Sequence, residues 1–112
     1  MEHKTLANGR WYTFSLCEQM AHIGSEVERA ILWKHKGNTD YSKKAFFRAL
    51  ELIDLTVADP KNKTRLREIL RVREALADYF FGNNIYRSTD QLWRSYFFPF
   101  AYRTRLLRDL KS

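Results

Sequence analysis

The chain of 112 residues has room for one domain and not for two. Its 8 Phe, 6 Tyr and 3 Trp within an apolar fraction of 45% exclude a disordered chain, and its single cysteine, Cys17, excludes an internal disulfide. A net charge of +7 points toward anionic partners.

Taken in order, residues 1–9 read as a loose N-terminal arm and residues 10–112 as one helical domain. A first helix is predicted from about Arg10 to His35, because Leu16, Met20, Ile23, Val27 and Ala30 recur at helical spacing and Gly37 follows as a stop. A second helix is predicted to start after Thr39 or Asp40, either of which can cap it, and to end at Ala58 before Pro60. It carries two apolar stripes, Phe46, Leu50, Ile53 and Val57, and Tyr41, Ala45, Leu52 and Leu55. So wide a surface requires neighbours on two sides, from the same chain or from another subunit.

The third helix is predicted over Asn62–Phe81, with Leu66, Ile69, Leu76 and Phe80 inward and Gly82 as its stop. Ser88 offers a cap for the fourth, with Gln91 as its capping-box partner. Leu92, Tyr96, Phe100, Leu107 and Leu110 fall on one face of that helix, and Pro99 should kink or break it. Short connections make consecutive helices antiparallel neighbours. The predicted fold is therefore all-α, an antiparallel up-down four-helix bundle with a Pro-kinked last helix.

The charge is unevenly placed. Lys61, Lys63, Arg65, Arg67, Arg71 and Arg73 are offset locally only by Glu68. Lys63, Arg67 and Arg71 fall at i, i+4 and i+8 near a helix start, where the dipole favours acids. A polyanion across that face would offset the repulsion; Glu68, Glu74 and Asp78 could also neutralise it. The final segment adds Arg103, Arg105, Arg108 and Lys111 beside Tyr96, Phe97, Phe98 and Tyr102, a mixture that single-stranded nucleic acid uses. The nucleic-acid-binding candidates are accordingly Lys63, Arg67, Arg71, Arg105 and Arg108. Arg73 and Arg103 fall on apolar faces, so each needs a partner such as Glu28, Glu51 or Asp54. They are read as buried salt-bridge residues or as the walls of an anion pocket.

Catalytic patterns are weak. Glu18 and His22 lie one turn apart, a spacing that can hold a metal but more often marks a solvated face. Arg29 and His35 loosely resemble the Arg–His motif of HEPN ribonucleases, yet they lie at the end of the first helix and Ala30 follows the arginine. Glu51 and Asp54 resemble the ExxD of MazG-like pyrophosphohydrolases without the earlier carboxylate motif. No catalytic set, metal or cofactor is assigned. GNTDYSKKAFFRALELIDLTVADP resembles part of a tetratricopeptide hairpin, but its register slips and it reads as an ordinary helical hairpin. The opening MEHKTLANGR lacks the apolar heart of a secretory leader, and no apolar run approaches the roughly 20 residues that span a bilayer. A cytoplasmic protein without membrane contact is expected.

The strings IGSEVERA, RALELIDLTVADP and DYFFGNN resemble a family of short prokaryotic helical proteins. In size, helix number, basic charge and Arg-rich last helix, the chain also resembles the four-helix-bundle group that includes the Avd accessory proteins of diversity-generating retroelements and the ribosomal intervening-sequence proteins. That resemblance implies a homo-oligomeric, non-enzymatic bundle that binds RNA or a reverse transcriptase complex. The expected function is thus a non-catalytic accessory or adaptor protein engaging RNA or a ribonucleoprotein, with a protein partner besides itself. The alternatives are a small helical nuclease or pyrophosphohydrolase, and a protein-interaction bundle without nucleic acid.

Overall fold

The structure, a computed structural model, describes residues 9–111. The arm expected over residues 1–9 lies, save for Gly9, outside them. Four α-helices follow one another: α1 Leu16–His35, α2 Thr39–Ala58, α3 Leu66–Phe81 and α4 Asp90–Lys111. A 3-10 helix, Pro60–Arg65, leads into α3. Helix accounts for 84% of the described residues, and there is no strand among them.

Helix α1 begins later than apolar periodicity implies. Ser15 Oγ accepts from the Glu18 N–H at 3.1 Å while the Glu18 carboxylate accepts from the Ser15 N–H at 3.0 Å. This capping box fixes the start at Leu16. The residues before it form a turn that buries Trp11. Met20, Ile23, Val27 and Ala30 are buried as the stripe predicts, joined by Ile31.

Asn38 caps α2, one residue ahead of the expected position, through its Oδ1 and the Tyr41 N–H at 3.0 Å. The wide apolar surface of α2 is filled largely from within the chain. Ala45, Phe46, Ala49 and Ile53 are buried, and Leu50, Leu52, Leu55 and Val57 pack against the same core.

In α3 the buried residues are Ile69, Val72 and Leu76. Arg73 therefore does not occupy the core. Leu66 and Phe80, which bounded the expected stripe, are only half-buried, and the inward line runs through Ile69, Val72 and Leu76, which leaves Arg73 at its edge. Arg73 lies at the rim, its Nε donating to Asp54 Oδ1 at 2.8 Å, with both side chains more than a third exposed. This is a rim ion pair and not a buried one.

Helix α4 departs furthest from expectation. Thr89, not Ser88, caps it, its hydroxyl accepting from the Leu92 N–H at 3.1 Å. Ser88 is held by Asn84 instead, whose side chain accepts from its N–H at 2.8 Å and donates to its carbonyl at 2.9 Å. Pro99 does not break the helix, which continues to Lys111. The inward residues are Trp93 and Phe97, flanked by the half-buried Tyr96 and Phe100. Leu92, Leu107 and Leu110 are exposed, and so is Arg103, which is consequently not a core arginine. The reason is steric. Gly24 on α1 leaves a hollow that Phe97 fills: a Cβ at position 24 would meet Phe97 Cβ at 2.8 Å. That fit turns the aromatic face of α4 inward and the leucines outward.

Helix α1 is the central element. Against α2, Ser42 Oγ donates to the Ala30 carbonyl at 2.7 Å and Arg48 reaches Glu26. Against α4, Arg94 grips Glu28 with two nitrogens, Nε at 2.8 Å and Nη2 at 2.9 Å. Helix α3 packs on α2, where the Phe46 and Phe80 ring centroids lie 4.4 Å apart. Near the other end of α1, a buried polar knot joins three segments. Gln19 donates to the Trp11 carbonyl at 3.1 Å and to Asp59 Oδ2 at 2.9 Å. Asn62 donates to Gln19 Oε1 and to the Thr56 carbonyl, each at 2.9 Å. Trp11 Nε1 donates to Thr56 Oγ1 at 3.0 Å. Lys61 closes the knot by donating to Asp59 and to the Tyr12 carbonyl.

Burial alone would raise the Asp59 carboxyl, but hydrogen bonds from Lys61 and Gln19 outweigh it and hold the group below the usual carboxylate range. Gln19→Leu leaves buried Asp59 short of a donor and buried Asn62 short of an acceptor. It should destabilise the fold by about 2–4 kcal/mol in denaturant titrations at neutral pH. A carboxylate held low stabilises the fold above its unfolded value of ~3.9, and that contribution is lost as pH falls through the folded value. The gap between wild type and variant should therefore narrow below about pH 4. A loss under about 0.5 kcal/mol at neutral pH would show that the knot is not a structural joint.

Candidate nucleic-acid interface

The end of the molecule formed by the α1–α2 connection gathers cations and rings. Helix α1 closes on Trp33, Lys34, His35 and Lys36, and cations suit the negative end of a helix. Gly37, at φ +79°, provides the left-handed residue that turns the chain into α2. Lys43 and Lys44 then lie in the first turns of α2. The C-terminal turns of α3 bring Tyr79, Phe80 and Phe81 to the same end, as the contacts of Phe46 with Phe80 and Phe81 show.

His35 and Asp90 pin this end together. His35 Nε2 and Asp90 Oδ2 lie 2.6 Å apart, and Tyr79 donates its hydroxyl to the other carboxylate oxygen. Burial, reinforced by that hydrogen bond to Asp90, pushes the Tyr79 hydroxyl up to about 12. For Asp90, burial would raise the carboxyl, but hydrogen bonds from Tyr79 and His35 win and hold it below the usual range.

The lysines here are used differently from the paired cations. Arg29, Arg48, Arg65, Arg73, Arg94 and Lys61 are each in an ion pair. Among the described residues, Lys34, Lys36, Lys43 and Lys44 are in none. Three of them sit over rings instead: Lys34 over Tyr79 at 5.1 Å, Lys36 over Trp33 at 5.0 Å and Lys44 over Tyr41 at 5.5 Å. Around them Tyr41, Phe47 and Phe81 are each about half exposed, and the rings of Phe47 and Phe81 lie 5.3 Å apart. A cavity of about 240 Å³ opens here, lined by Lys34, Lys43, Thr39 and Ser42 together with Phe46, Phe80 and Phe81.

The arginines singled out from the sequence occupy other surfaces. Arg67 and Arg71 share the exposed face of α3, but Lys63 precedes the first α-turn, so the i, i+4, i+8 phase holds only for the two arginines. Glu74 and Asp78 on α3 are engaged by the loop that follows. Asp78 accepts from the Ile85 and Tyr86 N–H groups at 3.0 and 3.1 Å. A hydrogen bond to Glu74 pushes the Tyr86 hydroxyl above its usual value. Arg105 is exposed on α4, and Arg108 lines a small depression with Glu18, Thr104 and Leu107. The contact of Cys17 with Phe100 and Thr104 places that part of α4 beside the start of α1, away from the lysine end.

The residues weighed for catalysis have other tasks. Glu18 caps Ser15, and His22 packs on Trp11 and Phe14. Arg29 pairs with Glu26 and Asp54 with Arg73. No group of three His, Cys, Asp or Glu that could hold a metal occurs among the described residues. Likewise, no helix among them is long and apolar enough to cross a membrane. The lysine cluster was absent from the sequence-derived set because it is split across two helices. The signal was present, however, as KHK and KK on either side of the GNTDYS turn. Compared with protein-family models, curated proteins and solved structures, the chain finds no match in any of the three.

Proposed function

We propose that this protein is a non-catalytic accessory bundle that engages RNA or another single-stranded nucleic acid, alone or within a ribonucleoprotein. The observation that carries the reading is the group of lysines at the α1–α2 end, unpaired and set among exposed rings. Lysines that form no close ion pair are available to phosphates, and exposed rings offer stacking platforms for bases. Arg67, Arg71 and Arg105, exposed elsewhere, extend the positive field that would draw a strand in, with Lys63 and Arg108 beside them. The helices read as an up-down antiparallel bundle. Supporting this, Glu26 meets Arg48 while Gln19 meets Asp59, and His35 meets Asp90 while Cys17 meets Phe100. The single thiol, Cys17, fits a reducing, cytoplasmic setting.

Self-association belongs to the same proposal, and its surface lies on α4. Phe98, Tyr102, Leu106 and Leu110 recur every four residues and are 64%, 52%, 44% and 82% exposed. Beside this ridge runs a groove of about 480 Å³ between α1 and α4, lined by the small residues Ala21, Gly24, Ser25 and Ala101. The indole N–H of Trp93, which has no acceptor among the described residues, belongs to a residue lining the same groove. A ridge next to a groove is self-complementary, as an interface between two copies requires. Light scattering should give a mass above that of one chain, and Phe98→Glu with Leu106→Glu should return it to a monomer. A monomeric wild type at tens of micromolar, roughly the affinity of many weak interfaces, would remove the second copy from the proposal.

For nucleic acid, anisotropy titration of a labelled single-stranded RNA at about 50 mM salt is the test. The wild type should bind, with log affinity falling by roughly 0.7 per log unit of salt for each phosphate neutralised. Replacing Lys34, Lys36, Lys43 and Lys44 with Gln should lower affinity and flatten that slope more than Arg67→Gln with Arg71→Gln does. Absence of binding, or an unchanged slope in the lysine variant, would overturn the reading. Shortening of the RNA during the titration would favour a nuclease instead.

A further inference from the structure

The cavity at the lysine end has a chemistry more specific than a charged patch. From its composition we propose that it is a site for one unstacked nucleotide, taking the base against the exposed ring of Phe81 and the adjoining phosphate on its lysines. This rests on the nucleic-acid reading above and adds to it the strandedness and the residues that enforce it. Three features carry the inference. First, the cavity lining combines the rings of Phe46, Phe80 and Phe81 with the cations Lys34 and Lys43 and the hydroxyls of Thr39 and Ser42, and no carboxylate lines it. A ligand that satisfies both kinds of lining is flat and apolar on one part and anionic on the other. Second, its volume of about 240 Å³ is below the roughly 300–1,000 Å³ typical of pockets that enclose a whole ligand. One base fits inside while the sugar–phosphate stays at the mouth. Third, Phe46 is 1% exposed and forms a fixed wall, whereas Phe81 is 49% exposed at the rim, where an incoming ring meets it. Ser42 Oγ already donates its proton to the Ala30 carbonyl at 2.7 Å, so toward the cavity it can only accept, which suits an N–H on a base edge.

A base inside a duplex cannot enter such a site without being flipped out, whereas a single strand offers its bases freely. Single strands should therefore bind more tightly than a duplex of equal length, and the difference should reside in the rings. The test is anisotropy with a labelled ten-nucleotide single strand and the matching duplex, using wild type, Phe81→Leu, Phe81→Tyr and Lys43→Gln, each checked for folding by circular dichroism. The wild type should prefer the single strand by about tenfold or more, the scale of one stacked base. Phe81→Leu should lose that preference while keeping the duplex affinity and the salt slope, because stacking releases no counterions. Phe81→Tyr keeps the ring and should keep the preference. Lys43→Gln should weaken both ligands and lower the slope. If the wild type binds both ligands equally, or Phe81→Leu retains the full preference, the nucleotide site is overturned while nucleic-acid binding stands. If the wild type binds neither, both fall together.

Discussion

The side-chain amide of Gln19 is the joint on which the arrangement depends. It is fully buried, and its three hydrogen bonds reach Trp11, Asp59 and Asn62, which belong to the turn before α1, the end of α2 and the 3-10 lead into α3. Apolar faces of helices slide past one another at little cost, because burial is nondirectional. A buried amide that must find two acceptors and a donor is not so tolerant. Moving α2 by one turn against α1 would orphan Gln19, Asp59 and Asn62 at once. With the register set at that end, the distal end follows: Ser42 reaches Ala30, and the lysines around Gly37 come to lie against the rings at the end of α3.

Two kinds of cation then divide the surface. Arginine, with its planar fork, serves the ion pairs that hold helices in place, most completely in the two-nitrogen grip of Arg94 on Glu28 that fastens α4 to α1. The lysines of the α1–α2 end form no ion pair; the carboxylates beside them are Asp40, in the first turn of α2, and Asp90, which His35 and Tyr79 already occupy. A lysine over a ring keeps a hydrated, movable charge, and exchanging water for phosphate costs it little reorganisation.

Much of the fold was legible in the sequence because helices α1 to α3 bury aliphatic residues at helical spacing and are punctuated by Gly37, Pro60 and Gly82. The helix starts were less so. Ser15 with Glu18 outranked the earlier apolar residues, and Thr89 outranked Ser88, since caps act locally and leave no periodic trace. Helix α4 was misread because Leu92, Leu107 and Leu110 suggested one face while a hollow at Gly24, invisible in the sequence, selected Trp93 and Phe97. Arg73 and Arg103 followed those phase errors outward. Of the candidate site, the excess positive charge was visible and its location was not. Lys34 and Lys43 are brought to Phe81 only by tertiary packing, whereas the arginine run after Pro60 is contiguous.

The most direct test of the proposed nucleic-acid interface is amide chemical-shift mapping by two-dimensional NMR during titration with a short single strand. The account predicts that the shifts concentrate in residues 33–47 and 79–86 and leave the exposed face of α4 unmoved. Shifts confined to α4, or to the Arg67–Arg71 face alone, would contradict it.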